Sequence, residues 1–507
     1  MVFRSYCAAL NGIEAITVTV ETELSRGISF YLVGLPDSAV RESQQRISAA
    51  LRVVNSKIPG KRITINLAPA NIKKEGSSFD LSIAVGILAA TGQYHFPNLE
   101  SYMIMGELAL DGSLRPVPGA LSIAIHAANS SFKKAIFPLK SAYKACEAEG
   151  IEVYGLTTLQ EVISLLSGEK RIEPLKRDVE AESKREAEYQ LSFDHIKGQA
   201  YAKRALEVAA AGSHNLLFIG SPGSGKSMMA QALPSILPPL EREEAIESTM
   251  IHSLVQREES STGLIYQRAF RAPHYSCSPI SIMGGGSKAN PGEISLAHNG
   301  VLYFDELPEF SPRVLEMLRQ PMEDRKISIS RAHYKVTYPA SFMFVASMNP
   351  CPCGYRSLSN GRCHCTPYSI SRYLSKISGP LIDRIDIIIE VLPVEKELLT
   401  GDIKGESSKE IAKRVAQARD VQRKRFGRGG CNTNSVMGPK ELQLFCQLDR
   451  EGQKLLSKAV DSLNLSARGY SRALKVARTI ADLDSSQKIE VAHIAEAIQY
   501  RIEKLRF

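Results

Sequence analysis

No run of this 507-residue chain approaches the roughly 18 uninterrupted apolar residues of a membrane span, so no membrane partner is expected. The opening Met1-Val-Phe-Arg-Ser-Tyr-Cys7 has neither the basic start nor the long apolar core of a secretory signal, and a cytoplasmic location is the expectation. A disulfide framework is missing as well: of nine cysteines, four crowd into Cys351 to Cys365 and the other five are scattered. Internal repeats and low-complexity tracts are absent, and no motif for reading base edges occurs.

The length exceeds what one core can serve, so three or so domains are expected. A formal net charge of +9 and a pI near 8.9 are compatible with a nucleic-acid partner without specifying one. Residues 1–167 alternate β-rich runs (Ala15 to Val20, Arg62 to Leu67, Tyr102 to Met105) with helix-like ones (Val40 to Val54, Asp80 to Thr91), which argues an α/β or α+β domain. Residues 168–191 are dense in both charges with few apolar anchors and read as a solvated linker. Residues 192–394 form a second block, and 395–507 read as several amphipathic helices. The fold class is α/β multidomain.

Inside the second block, Gly220-Ser221-Pro222-Gly223-Ser224-Gly225-Lys226-Ser227 follows the apolar run Asn215 to Ile219 and matches G-x-x-x-x-G-K-[ST]. The three glycines let successive N–H groups point inward at phosphate oxygens, and the following helix adds its positive N-terminal end. Lys226 would reach the β- and γ-phosphates, and the Ser227 hydroxyl would ligate Mg²⁺. ATP with Mg²⁺ is the expected ligand.

Downstream, Gly300 to Phe304 is an apolar strand ending in Asp305 and Glu306. Asp305 can hold Mg²⁺ and Glu306 can orient and deprotonate water. A second apolar strand, Ser341 to Ser347, leads to Asn349, whose amide can sense the γ-phosphate. In Gly379-Pro-Leu-Ile-Asp-Arg384-Ile-Asp386, Arg384 suits either a finger offered to a neighbour's nucleotide or a salt bridge to Asp383 or Asp386.

This ordered set resembles an AAA+ ATPase. The stretch from His274 to Glu309, with Gly284-Gly-Gly and Asn290-Pro-Gly-Glu-Ile-Ser-Leu-Ala-His-Asn-Gly300, resembles the magnesium-chelatase-like branch, specifically the YifB/ComM family, across nearly the whole chain. The resemblance implies a helical lid at 395–507, with Arg468 as a second phosphate sensor and Arg472 one turn on as the fallback. It also implies a homo-oligomeric ring, expected to be a hexamer, because an arginine acting in trans needs a neighbour. Glu293 and Gly284 to Lys288 match this branch's helix-2 insertion, and Met322 to Tyr338 alternates like a hairpin. In related rings such elements face the pore, so Lys288, Arg331 and Lys335 are candidates for DNA-backbone contacts or ordinary surface charges.

Cys351-Pro-Cys353 and Cys363-His-Cys365 form two C-x-C pairs directly after Asn349. Four thiolates across a turn suit a structural tetrahedral Zn²⁺, with His364 as an alternate ligand, and four reduced thiols are the plainer reading. Lys74-Glu-Gly-Ser-Ser78-Phe-Asp80 and Gly106 to Gly119 resemble the Lon-type peptidase (ribosomal S5 domain 2-like) fold, with Ser78 in the nucleophile's place. The lysine base of that fold is replaced by Leu121, so an inactive peptidase-like domain is expected.

Three functions fit. The resemblance implies an ATP-driven ring acting on DNA, a helicase or branch-migration translocase in natural transformation or recombination. A magnesium-chelatase motor subunit is the second, although the fused N-terminal domain disfavours it. An ATP-dependent remodeller or protease is the third, disfavoured by Leu121.

Overall fold

The computed structural model describes residues 2–177, 189, 191–255, 263–286, 288–331, 334–356, 362–394, 405–427, 433–463 and 465–501. Half of the expected linker 168–191, and the start of the expected lid, therefore lie outside the described residues. No helix among the described residues is long and apolar enough to cross a membrane.

The N-terminal region is built on a seven-stranded mixed sheet. Its order is Ser29–Val33, Arg62–Ala68, Glu14–Ser25, Val2–Asn11, Tyr102–Ile104, Lys134–Pro138 and Glu152–Leu156. Alternation explains the strand Arg62–Ala68: Ile63, Ile65 and Leu67 point into the core while the residues between them stay partly exposed. The helix Asp80–Thr91 covers the sheet, and its apolar character all round matches burial of every residue from Asp80 to Ala89. Asp80 is tolerated there because Arg46 pairs with it at 2.6 and 3.0 Å. The expected helix Val40 to Val54 is two pieces, Ser38–Arg41 and Ser43–Val53, the first capped by the Asp37 carboxylate on the Val40 N–H.

The second region holds a five-stranded parallel sheet, in the order Phe270–Arg271, Val301–Phe304, Met343–Met348, Leu216–Gly220 and Ile387–Val391. Strands Leu216–Gly220 and Met343–Met348 are buried at every residue, as continuous apolar runs in a parallel sheet covered on both faces must be. The first strand in sequence lies between the fourth and the fifth, so chain connections leave it to both sides. Such a switch point opens a crevice at the carboxyl end of the strand, which is where Gly220 begins the glycine-rich loop.

The helices after residue 405 do not stand apart from this sheet. The helix Ala200–Gly212 packs against Ser408–Phe426 and Ala467–Leu483, and one apolar core spans Ala209, Val415 and Ile480. Helix ends leave carbonyls unpaired, and here side chains of the C-terminal region supply the donors. Arg419 bonds the Ala210 carbonyl at 2.7 and 3.1 Å, and Gln422 bonds Ala211 at 3.1 Å. The helix Arg242–Ser253 reaches the other way: Ala245, with Leu240 and Leu264, joins the N-terminal core.

The hairpin expected from Met322 to Tyr338 begins later. Met322 to Asp324 end the helix Arg319–Asp324, Arg325 turns the chain at φ +53°, and strands Lys326–Arg331 and Tyr334–Pro339 pair in register Ile327 to Tyr338 and Ile329 to Val336. The tip, residues 332 and 333, lies outside the described residues.

Candidate nucleotide site

The glycine-rich loop closes at the crevice as the residue types require. Gly223 and Gly225 take φ of +77° and +88°, where a Cβ would be strained, and the helix Lys226–Ala232 follows at once. Lys226 is buried, and its amine donates to the carbonyls of Gly220 at 2.8 Å and Ser221 at 2.9 Å. Desolvation lowers its pKa, with Asp305 and Glu306 opposing the shift. The Ser221 and Ser224 hydroxyls are buried with no hydrogen-bond partner. Orphaned donors of this kind in a glycine loop fit a group rich in acceptor oxygens.

Asp305 and Glu306 end the strand Val301–Phe304 with exposed side chains. The Ser227 hydroxyl donates to Asp305 Oδ2 at 3.0 Å, so the two groups suited to Mg²⁺ face one point. Ser347 donates to the other oxygen of Asp305 and lies 3.4 Å from the Glu306 N–H. Glu306 adopts φ +53°, a sparsely populated conformation for a side-chain-bearing residue and one often found where geometry serves function. Asn349, just past the strand Met343–Met348, places Oδ1 3.4 Å from Lys226 Nζ. Loop, acids and amide thus converge.

Two residues of this arrangement escaped the sequence reading. Ser347 carries no motif and gains its role from register alone. Gln199 takes φ +58° and its amide bonds the Leu392 carbonyl at 2.6 Å and the Ser224 carbonyl at 3.3 Å, tying the loop to the end of the fifth strand.

The arginines lie elsewhere. Arg384 is buried, donating to the Pro380 carbonyl at 2.6 Å and pairing with Glu323 at 2.6 Å rather than with Asp383 or Asp386. Arg468, exposed on the helix Ala467–Leu483, approaches the same carboxylate at 3.6 Å. Arg472 does something different: it bonds Asp386 at 2.5 Å and anchors the helical region to the sheet.

Of the basic residues considered for DNA, Lys335 is exposed on the hairpin and Lys288 is exposed in the Gly284 to Asn290 segment. The Arg331 backbone pairs with Tyr334, and its side chain lies outside the described residues. Lys288 lines a cavity of about 390 Å³ between the two regions, shared with Ser77, Ser78, Glu107 and Tyr338. Glu293 holds Arg271 through two contacts of 2.7 Å. In the N-terminal region, Leu121 is fully buried, Ser77 rather than Ser78 bonds Glu107, and the buried Lys74 amine donates to the Pro69 carbonyl.

The four sulfurs of Cys351, Cys353, Cys363 and Cys365 all lie within 4.8 Å of one another, and His364 is exposed outside the group. The backbone N–H of Tyr355 leads the effects that bring the Cys353 thiol down to about 6.

Comparison with known proteins resolves the kinship. The family model described as magnesium chelatase, subunit ChlI, matches residues 192–399, its C-terminal counterpart 405–501, and a further ChlI model 20–141. Competence protein ComM of Haemophilus influenzae is 44% identical over 98% of this chain and 96% of its own length. The chain belongs to the YifB/ComM family of magnesium-chelatase-like proteins. YifB of Escherichia coli is 43% identical over 97% of this chain and 95% of its own, and Lon protease 2 of Bacillus subtilis is 28% identical over 25% of this chain and 22% of its own. Membership in this family supports an AAA+ ATPase using ATP and Mg²⁺.

Proposed function

We propose that the chain is the subunit of an ATP-hydrolysing homo-hexameric ring that translocates on DNA. The observation that carries the ATPase part is the convergence of Lys226, Ser227, Asp305 and Asn349 at the switch point, with Asp305 held by Ser347. In this reading Ser227 and Asp305 hold Mg²⁺, and the backbone of Gly220 to Gly225 with Lys226 binds the phosphates. Glu306, on the exposed edge next to them, activates water.

The distribution of arginines supports the ring. Arg384 and Arg468 share Glu323 as counter-ion and neither bonds the loop of its own chain. A pair of cations held this way suits delivery to a neighbouring subunit's nucleotide. The DNA part rests on the whole-length likeness to a competence protein and on the basic balance of the chain. Contacts through exposed residues such as Lys288 and Lys335 would be to backbone phosphates and insensitive to sequence. The N-terminal region acts in assembly or binding rather than peptide hydrolysis, since Leu121 stands where a base would be needed and the Lys74 amine is bonded elsewhere.

The test is ATP turnover with no DNA and with single-stranded, duplex and three-stranded DNA, with strand displacement followed in parallel. Stimulation with displacement supports the motor. No stimulation and no DNA binding at low salt would transfer the chain to the protein-remodelling class.

A further inference from the structure

We propose that Cys351, Cys353, Cys363 and Cys365 form a zinc site that serves as a positioning clip for the nucleotide site, setting the placement of Asn349 and of the Pro222 side of the phosphate loop. The metal part stands on sulfur geometry, and the effect on turnover rests on the ATPase reading above.

A tetrahedral ion with metal–sulfur bonds of about 2.3 Å has sulfur–sulfur edges of about 3.8 Å. The edges here are 3.3 Å for Cys351 to Cys353, 3.8 Å for Cys351 to Cys363 and 3.7 Å for Cys353 to Cys363. They are too long for a disulfide, near 2.05 Å, and close enough for one ion rather than a spread iron–sulfur cluster. Four soft thiolates around a single ion leave no open coordination position, which gives a structural site. The segment needs such a clip: among the described residues from Pro352 to Thr366 only Gly354, which carries no side chain, is buried, so apolar packing does little to order it.

The coupling lies in what the clip touches. Cys351, fully buried, follows two residues after Asn349, whose amide oxygen faces the Lys226 amine. Gly354, next to Cys353, takes φ +82° and bonds the Cys351 carbonyl at 2.9 Å. A Cβ there would come within 2.6 Å of Pro222 Cδ and 3.7 Å of Asn349 Cγ. The turn carrying two of the thiolates therefore presses on the phosphate loop and on Asn349 together, and no side chain fits between them.

The experiment uses the full chain purified without chelators. Elemental analysis should find about one zinc per chain. Gly354→Ala keeps all four thiols, so zinc content should stay at the wild-type value while the KM for ATP rises at least fivefold. Cys363→Ser with Cys365→Ser should lose zinc and lower kcat/KM at least tenfold, and stripping zinc from folded wild-type protein with an organomercurial should do the same, with recovery on adding Zn²⁺ and excess thiol. Absence of bound zinc in the wild type overturns the proposal, as does Gly354→Ala or zinc-stripped protein whose nucleotide affinity and turnover stay within twofold of wild type. If zinc-loaded wild type hydrolyses no ATP, the ATPase reading fails instead, and the clip is judged by the same thresholds on binding of a fluorescent ADP analogue.

Discussion

Replacing Arg472 by alanine should loosen the helical region from the sheet without touching the phosphate loop. Its partner, Asp386, is 5% exposed and accepts from Arg472 at 2.5 Å and from the Asn215 N–H at 3.0 Å, with His214 Nδ1 at 3.5 Å. Burial favours the neutral acid, yet Arg472 and His214 outweigh it and hold the carboxyl well below the usual range. Removing one member of a buried pair typically costs about 3–5 kcal/mol, because the other charge is left uncompensated. Two features reduce that figure: Arg472 is 18% exposed, and Arg501 lies near enough to stabilise the same carboxylate. A loss of about 2–4 kcal/mol follows.

The assay is native-state hydrogen exchange in the helix Ala467–Leu483, which reports local opening even where a large chain does not unfold in one step. Exchange of its slowest amides should accelerate by about 30- to 1,000-fold at pH 7, given 1.36 kcal/mol per tenfold. A second substitution, Asp386→Asn, should recover part of the loss, since the stranded charge is its main source. The sign with pH is set by the depressed pKa. The wild-type contribution is complete above the unfolded value, near 4, and is lost as pH falls through the lower folded value. In Arg472→Ala the deficit should therefore be largest near neutrality and shrink in acid, as protonation removes the buried charge. Acceleration below threefold, or a double variant no better than Arg472→Ala alone, would refute the reasoning.

Ser347→Ala removes the hydroxyl that holds Asp305 and approaches the Glu306 N–H, so kcat should fall about tenfold or more while ADP affinity without Mg²⁺ changes less than twofold, as titration of a fluorescent analogue would check. Glu323→Gln deprives Arg384 and Arg468 of their shared counter-ion. Nucleotide binding should persist, and turnover of the assembled protein should fall about tenfold through misplaced arginines, whereas unchanged kcat would show that Glu323 does not position them.

The parts of the site that were readable are those written contiguously. The loop from Gly220 to Ser227 needs a specific run of residue types because one backbone turn builds it, and the acidic strand end and Asn349 each follow an unbroken apolar strand. Strands such as Arg62–Ala68 were readable from alternation. The strand Val2–Asn11 was not, because its buried residues Ala8 and Ala9 are adjacent and small and give no period-two signal. The expected hairpin start at Met322 failed for a related reason: a short helix and a strand edge look alike over three residues, and the left-handed turn at Arg325 decides between them. For Arg384, the nearby Asp383 and Asp386 were the visible carboxylates, but local backbone direction sends its guanidinium to Glu323.

By itself, the sequence determined the fuel. Phosphate binding depends on a short glycine-rich segment with a lysine at its end, and such local chemistry survives without knowledge of anything distant. Tertiary structure decided how that segment is supported. Ser347 reaches Asp305, Gln199 reaches the loop and Leu392, Gly354 meets Pro222, and Arg472 meets Asp386 only because strand order and helix packing bring together residues up to 193 positions apart, and no pairwise pattern along a chain encodes contacts of that range.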